Sequence, residues 1–149
     1  MLKRLIFDKE TSKVYCEDTD GNRYAEFPVS FNYWGGTNEY GQPRTAIPNG
    51  TYPISNEDAN AMDHGHDQGG AYGTFWVALD RERGRGYHGF GEGRAIDSGT
   101  YGCIRGNNDD GEQVCRAIDE SIAAGIEVTA EVVGNVDESQ FCVGYDGRQ

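Results

Sequence analysis

Only one stretch of this 149-residue chain repeats its apolar residues at helical spacing. In it Val114, Ala117, Ile118, Ser121 and Ile122 recur three and four apart, and Gly125 closes the segment. Asp109 stands where a cap belongs and Glu112 follows three residues on, so a capping box is expected at its start. Elsewhere the chain alternates apolar with polar residues or breaks at glycine, of which there are 22. This pattern excludes a helical bundle. It predicts a loop-rich, mainly β (α+β) domain with one packed C-terminal helix. A chain of this length fills one domain, so residues 1–149 are taken as a single unit without repeat or linker.

Leu2 to Asp8, Lys13 to Asp18 and Arg23 to Val29, separated by polar turns, are expected to form a β-meander. Residues 30–44, which carry Tyr33, Trp34 and Tyr40, are too irregular for a strand. They form either a loose connection or a substrate-facing wall. Tyr52 and Ile54 belong to a short strand at a sheet edge, because Pro53 has no N–H to donate. Thr74 to Asp80 is a buried strand, and a charged turn, Arg81 to Arg85, leads from it to His88. Ile126 to Val133 alternates as a half-buried strand, and residues 134–149 are an extra strand or a tail.

The formal charge of −12 makes nucleic acid a poor partner, since a surface of that sign repels phosphate backbones. A basic protein or a cationic substrate group suits it better, unless the acidity serves solubility alone. No run approaches the roughly 20 apolar residues of a membrane span. The basic and apolar opening, Met1 to Phe7, is cut short by Asp8, so it reads as a first strand and not as an export signal.

The chemistry concentrates in two short motifs, His88-Gly89 and Thr100-Tyr101-Gly102-Cys103-Ile104-Arg105. A nucleophilic cysteine needs a base to take its proton and backbone N–H groups to receive charge on the attacked oxygen. His88 can supply the first, and a tight turn at Gly102 the second. The competing reading of Cys103 is a buried inert thiol, and of His88 a satisfied core histidine. Cys16, Cys115 and Cys142 are assigned to packing, with room for at most one disulfide among them; no C-x-x-C pair suggests zinc. Asp63-His64-Gly65-His66-Asp67 lacks a third His or Cys ligand nearby and is read as a polar flap instead of a metal site.

Together with Ile47-Pro48-Asn49-Gly50-Thr51-Tyr52-Pro53-Ile54, these motifs resemble the signature of the L,D-transpeptidases, the YkuD-like catalytic domain, across about residues 1–133. The order of parts is most similar to a compact branch of type VI secretion effectors that attack peptidoglycan. The resemblance implies a β-sandwich with one packed helix, Cys103 as nucleophile and His88 as base. The amides around Tyr101, Gly102 and Cys103 would form the oxyanion hole. Arg105 would brace the loop or meet a substrate carboxylate, and Gly89, Thr100, Tyr33 and Trp34 would face substrate, although Tyr33 and Trp34 suit an ordinary core equally well. The implied reaction is acyl transfer on a peptidoglycan stem tetrapeptide to water, an amine or a D-amino acid, with no cofactor. Implied too are a cognate immunity protein, and secretion from a cytoplasmic site of synthesis into a target-cell periplasm. Tyr101 departs from the family, which usually has histidine there, and the glycine-rich, charged segment after Gly89 is also unusual. Two rival readings are a non-catalytic binding module on the same fold and a metal-dependent hydrolase centred on His64 and His66.

Overall fold

The computed structural model describes residues 1–54 and 72–144. The segment holding His64 and His66, and the last five residues, lie outside the described residues. Strands β1 (Leu2–Asp8), β2 (Lys13–Asp18) and β3 (Arg23–Ser30) form the expected antiparallel meander. After β4 (Tyr33–Trp34) come β5 (Gly50–Ile54), β6 (Trp76–Asp80), β7 (Arg85–His88) and β8 (Ile104–Gly106). Helix α1 (Asn108–Ala123), β9 (Val128–Val133) and the short β10 (Cys142–Val143) are the remaining elements of the described residues.

Eight strands join in one sheet, ordered β5-β9-β1-β2-β3-β8-β7-β6, and its edge strands β5 and β6 pack beside each other. The sheet therefore curls nearly closed, and its opposed parts supply the expected layers. Burial alternates along β9, where Val128, Ala130 and Val132 enter the core, as the period of a half-buried strand requires. β5 lies at the edge that Pro53 demands.

Helix α1 lies against β1, β7 and β9, and Ser121 Oγ donates to the Leu2 carbonyl at 2.6 Å. Gly111 weakens the helix intrinsically but permits this packing: a Cβ there would stand 2.0 Å from the Phe75 ring. Phe75 and Phe7 both meet Tyr87 edge-on, at 4.6 and 5.1 Å between centroids. Leu5, Phe7, Val14, Ile104 and Ile118 complete the fully buried centre.

The expected capping box does not form. The helix begins at Asn108, its cap residue Asn107 makes no side-chain capping bond, and Asp109 falls inside the first turn. A single residue separates β8 from α1, so the strand's end and not a capping side chain sets the helix start. Asp109 and Asp110 still face the positive end of the helix dipole. At the other end Gly125 has φ +79° and the turn closes as expected.

Between Gly134 and Gly144 the chain adds an extra strand: β10 pairs in parallel with β4, preceded by a single 3₁₀ turn that Asp137 caps. Lys9, fully buried at its side chain, forms an ion pair with Glu138 of that turn. No helix among the described residues is long and apolar enough to cross a membrane.

Candidate active site

Strands β7 and β8 run parallel, with Tyr87 opposite Ile104 and His88 opposite Arg105. Tyr87 points into the core, so alternation turns Gly86 and His88 to the opposite face. Cys103 immediately precedes β8. The two sequence motifs therefore meet at neighbouring strands, and His88 and Cys103 line one cavity of about 220 Å³. Among the described residues, Trp34, Tyr72, Arg83, Gly84, Thr100, Tyr101 and Arg105 also line it.

The turn before Cys103 has a tightly determined shape. Gly102 adopts φ +128°, and a Cβ there would stand 2.9 Å from both Arg85 Nε and the Thr45 carbonyl, so glycine alone fits. Thr100 Oγ1 accepts from the Gly102 N–H and donates to the Cys103 carbonyl, each at 3.0 Å. In the resting structure the Gly102 amide is committed within the turn, while Thr100 uses its hydroxyl to build the loop and itself lines the cavity. Tyr101 and Cys103 are the remaining candidate amides.

Arg105 is buried, and its guanidinium donates to the Ser98 carbonyl at 2.8 Å; of its two expected roles, it performs the bracing one. Tyr33 packs against the core and does not line the cavity. Trp34, its neighbour, does, and meets the Tyr101 ring edge-on at 4.9 Å, while the Arg44 guanidinium lies 5.1 Å over the same ring. Tyr40 stands 79% exposed, away from the cavity wall.

His88 sits in an aromatic box. The Trp76 ring stacks on the imidazole at 5.6 Å and 11°, and Tyr72 meets it edge-on at 5.0 Å. Gly86 makes room for this, because a Cβ there would stand 2.8 Å from the Trp76 ring. Burial in this box drives the His88 pKa down to about 3, with Arg105 adding to the effect and the Gly89 carbonyl opposing it. That carbonyl lies 2.7 Å from Nδ1. A carbonyl only accepts, so Nδ1 carries the hydrogen and Nε2 is the basic nitrogen. The Gly89 carbonyl thus orients the histidine, and Gly89 is not among the described residues that line the cavity.

Burial pushes the Cys103 thiol up; the Gly86 N–H, which donates to Sγ, and the charges of Arg85 and Arg105 pull it back. The resting site thus pairs a neutral thiol with a neutral imidazole. A thiolate–imidazolium pair is not preformed, and His88 rests neutral with Nε2 open to accept a proton. Arg85 is anchored by donating to the Ala46 carbonyl at 2.8 Å.

Sequence reasoning read Arg81 to Arg85 as a turn and Trp76 as core. Arg85 opens the same strand that His88 ends, and Gly86 and His88 share a face by alternation, which is a signal the sequence carries. The cavity wall holds two arginines, Arg83 and Arg105, and no carboxylate among the described residues. Cys16 and Cys115 are buried as expected, whereas Cys142, on β10, is exposed. All four thiols are free. Among the described residues no cluster of three or more His, Cys, Asp and Glu side chains is placed to hold a metal ion.

The chain matches no family model and no curated protein. Its likeness is to solved structures. The L,D-transpeptidase of Xylanimonas cellulosilytica superposes with a TM-score of 0.55 at 14% identity, over 88% of this chain and 60% of that one. L,D-transpeptidase 1 of Mycobacterium tuberculosis gives 0.52 at 15% identity, over 88% and 60%. The helical cell shape determining protein Pgp2 of Campylobacter jejuni gives 0.57 at 16% identity, over 92% and 49%. The chain spans roughly half to three-fifths of the length of these proteins. What is shared at such identities is the fold, which is L,D-transpeptidase-like.

Proposed function

We propose that the chain is a cysteine acyltransferase or carboxypeptidase acting on peptidoglycan stem tetrapeptides. The observation that carries this reading is the convergence of Cys103 and His88 on one cavity, within an L,D-transpeptidase-like fold. Nε2 of His88 takes the thiol proton as Sγ attacks the carbonyl carbon before the terminal D-residue. Positive charge from Arg85 and Arg105 and the Gly86 N–H favour the sulfur as it becomes anionic. The amides of Tyr101 and Cys103 receive the charge developing on oxygen. As the tetrahedral intermediate collapses, the imidazolium returns its proton to the departing amine, leaving a thioester on Cys103. Water or an amine then attacks the thioester, giving a shortened peptide, a cross-link or an exchanged D-amino acid. Arg83, at the rim with its guanidinium 3.2 Å from Asp80, suits the free carboxylate of the terminal residue.

Incubation of the protein with purified muropeptides, followed by mass spectrometry, tests this. Loss of D-Ala that disappears in Cys103→Ala supports it, and muropeptides unchanged by the parent protein refute it. Delivery into a rival's periplasm, with a cognate immunity protein over the cleft, is the biological setting we propose from the branch resemblance. Periplasmic expression that harms cells no more than the Cys103→Ala variant counts against that setting.

A further inference from the structure

Asn108 is the first residue of α1, yet its side chain serves another part of the chain. Its Oδ1 accepts from the N–H of Thr74 at 3.2 Å and of Phe90 at 3.3 Å, and its Nδ2 donates to the Phe90 carbonyl at 2.9 Å. One amide group thus clasps two segments. The first leads from Tyr72 into β6, and the second leaves β7 just after His88.

Two glycines make space for the clasp. A Cβ on Gly89 would stand 1.8 Å from Oδ1, and one on Gly73 would stand 2.2 Å from it. The Gly89 N–H donates to the Tyr72 carbonyl at 3.0 Å, so the same clasp brings the Tyr72 ring against the imidazole. Between these bonds lies the Gly89 carbonyl that accepts from His88 Nδ1.

We infer that Asn108 is the positioning residue for the base: by tying residues 72–74 to residues 89–90 it holds the Gly89 carbonyl on Nδ1 and leaves Nε2 as the proton acceptor. Its catalytic consequence rests on the thiol–imidazole reading above, whereas the tautomer it sets does not. Carbonyl orientation of a histidine is the third member that an activated nucleophile requires. Here a helix residue supplies it from behind.

Asn108→Asp separates positioning from folding. It preserves shape and the Oδ1 acceptor, but sets a second acceptor against the Phe90 carbonyl. A carboxylate in the first helical turn also favours the dipole, so the helix is not weakened. Nitrogen NMR of the imidazole, with His88 identified through His64→Gln and His66→Gln, reads the tautomer directly. The parent is expected to hold the hydrogen on Nδ1, and Asn108→Asp to show a mixture of tautomers. D-Ala release should lose roughly 10- to 100-fold in kcat, the cost of a misplaced catalytic group, with KM unchanged. Asn108→Ala should move both readings the same way.

A parent with its hydrogen on Nε2 overturns the inference without any variant. Both variants keeping the Nδ1–H form and full kcat also overturn it, as does a loss of kcat that only tracks loss of folded protein. A tautomer shift in a protein that never releases D-Ala supports the positioning role and refutes the proposed function instead.

Discussion

Acidification should destabilise this protein through His88, against the trend of its other charges. The imidazole is buried beneath Trp76 and Tyr72 and its pKa lies near 3, whereas in the unfolded chain it returns to the ordinary value of about 6.5. Below the unfolded value the unfolded state binds a proton that the folded state refuses. Stability therefore falls as pH drops from about 6.5 toward 3, by about 1.4 kcal/mol per unit for one such group. Two units of acidification cost about 3 kcal/mol, a large part of a typical domain's stability. The net charge of −12 works the other way, since protonating surface carboxylates relieves repulsion. A single pH series would mix the two effects. His88→Gln removes the first and keeps the second. Urea unfolding of both proteins between about pH 7.5 and 4.5 isolates the histidine as the pH-dependent part of their difference. Whatever fixed offset the substitution brings, the gap should shift by about 3 kcal/mol in favour of the glutamine variant across that range. A gap that stays constant with pH would mean that His88 titrates normally, and the neutral-base account of the site would fall.

The other expectations concern the walls around Cys103. Gly102→Ala forces a side chain into left-handed backbone against Arg85 and Thr45; a loss of about 2 kcal/mol is expected in urea unfolding, together with lost D-Ala release. Thr100→Val removes both hydroxyl bonds of the turn and should cost about 2 kcal/mol by the same measurement. Arg85→Gln withdraws a charge that favours the Cys103 thiolate, so alkylation of Cys103, followed by peptide mapping, should slow several-fold near pH 8. Arg83→Ala should raise KM for free-carboxylate peptides roughly tenfold at low salt with kcat little changed, the signature of lost ground-state binding. An unchanged KM would remove Arg83 from the substrate site.

The local parts of this protein were legible in its sequence. Alternation placed β1, β2, β3 and β9, helical spacing and Gly125 placed α1, and Pro53 put β5 at an edge, because period and proline geometry act within a few residues. The pairing of His88-Gly89 with Gly102-Cys103 was also visible, since both lie on short linear motifs. What lay beyond reach were relations between segments distant along the chain. Asp109 scanned as a cap, but β8 ends one residue before the helix, and tertiary connection rather than local chemistry set its start. Gly102 promised a free amide until Thr100 folded back to occupy it. Net charge could not place Arg83 and Arg105 in the described wall of the cavity, because it sums the whole surface while a cavity is shaped by a few side chains. Asn108, Trp76 and Gly86 carry no motif of their own. Sheet register alone sets Trp76 opposite His88, and only packing brings the first helical residue behind the histidine's own loop.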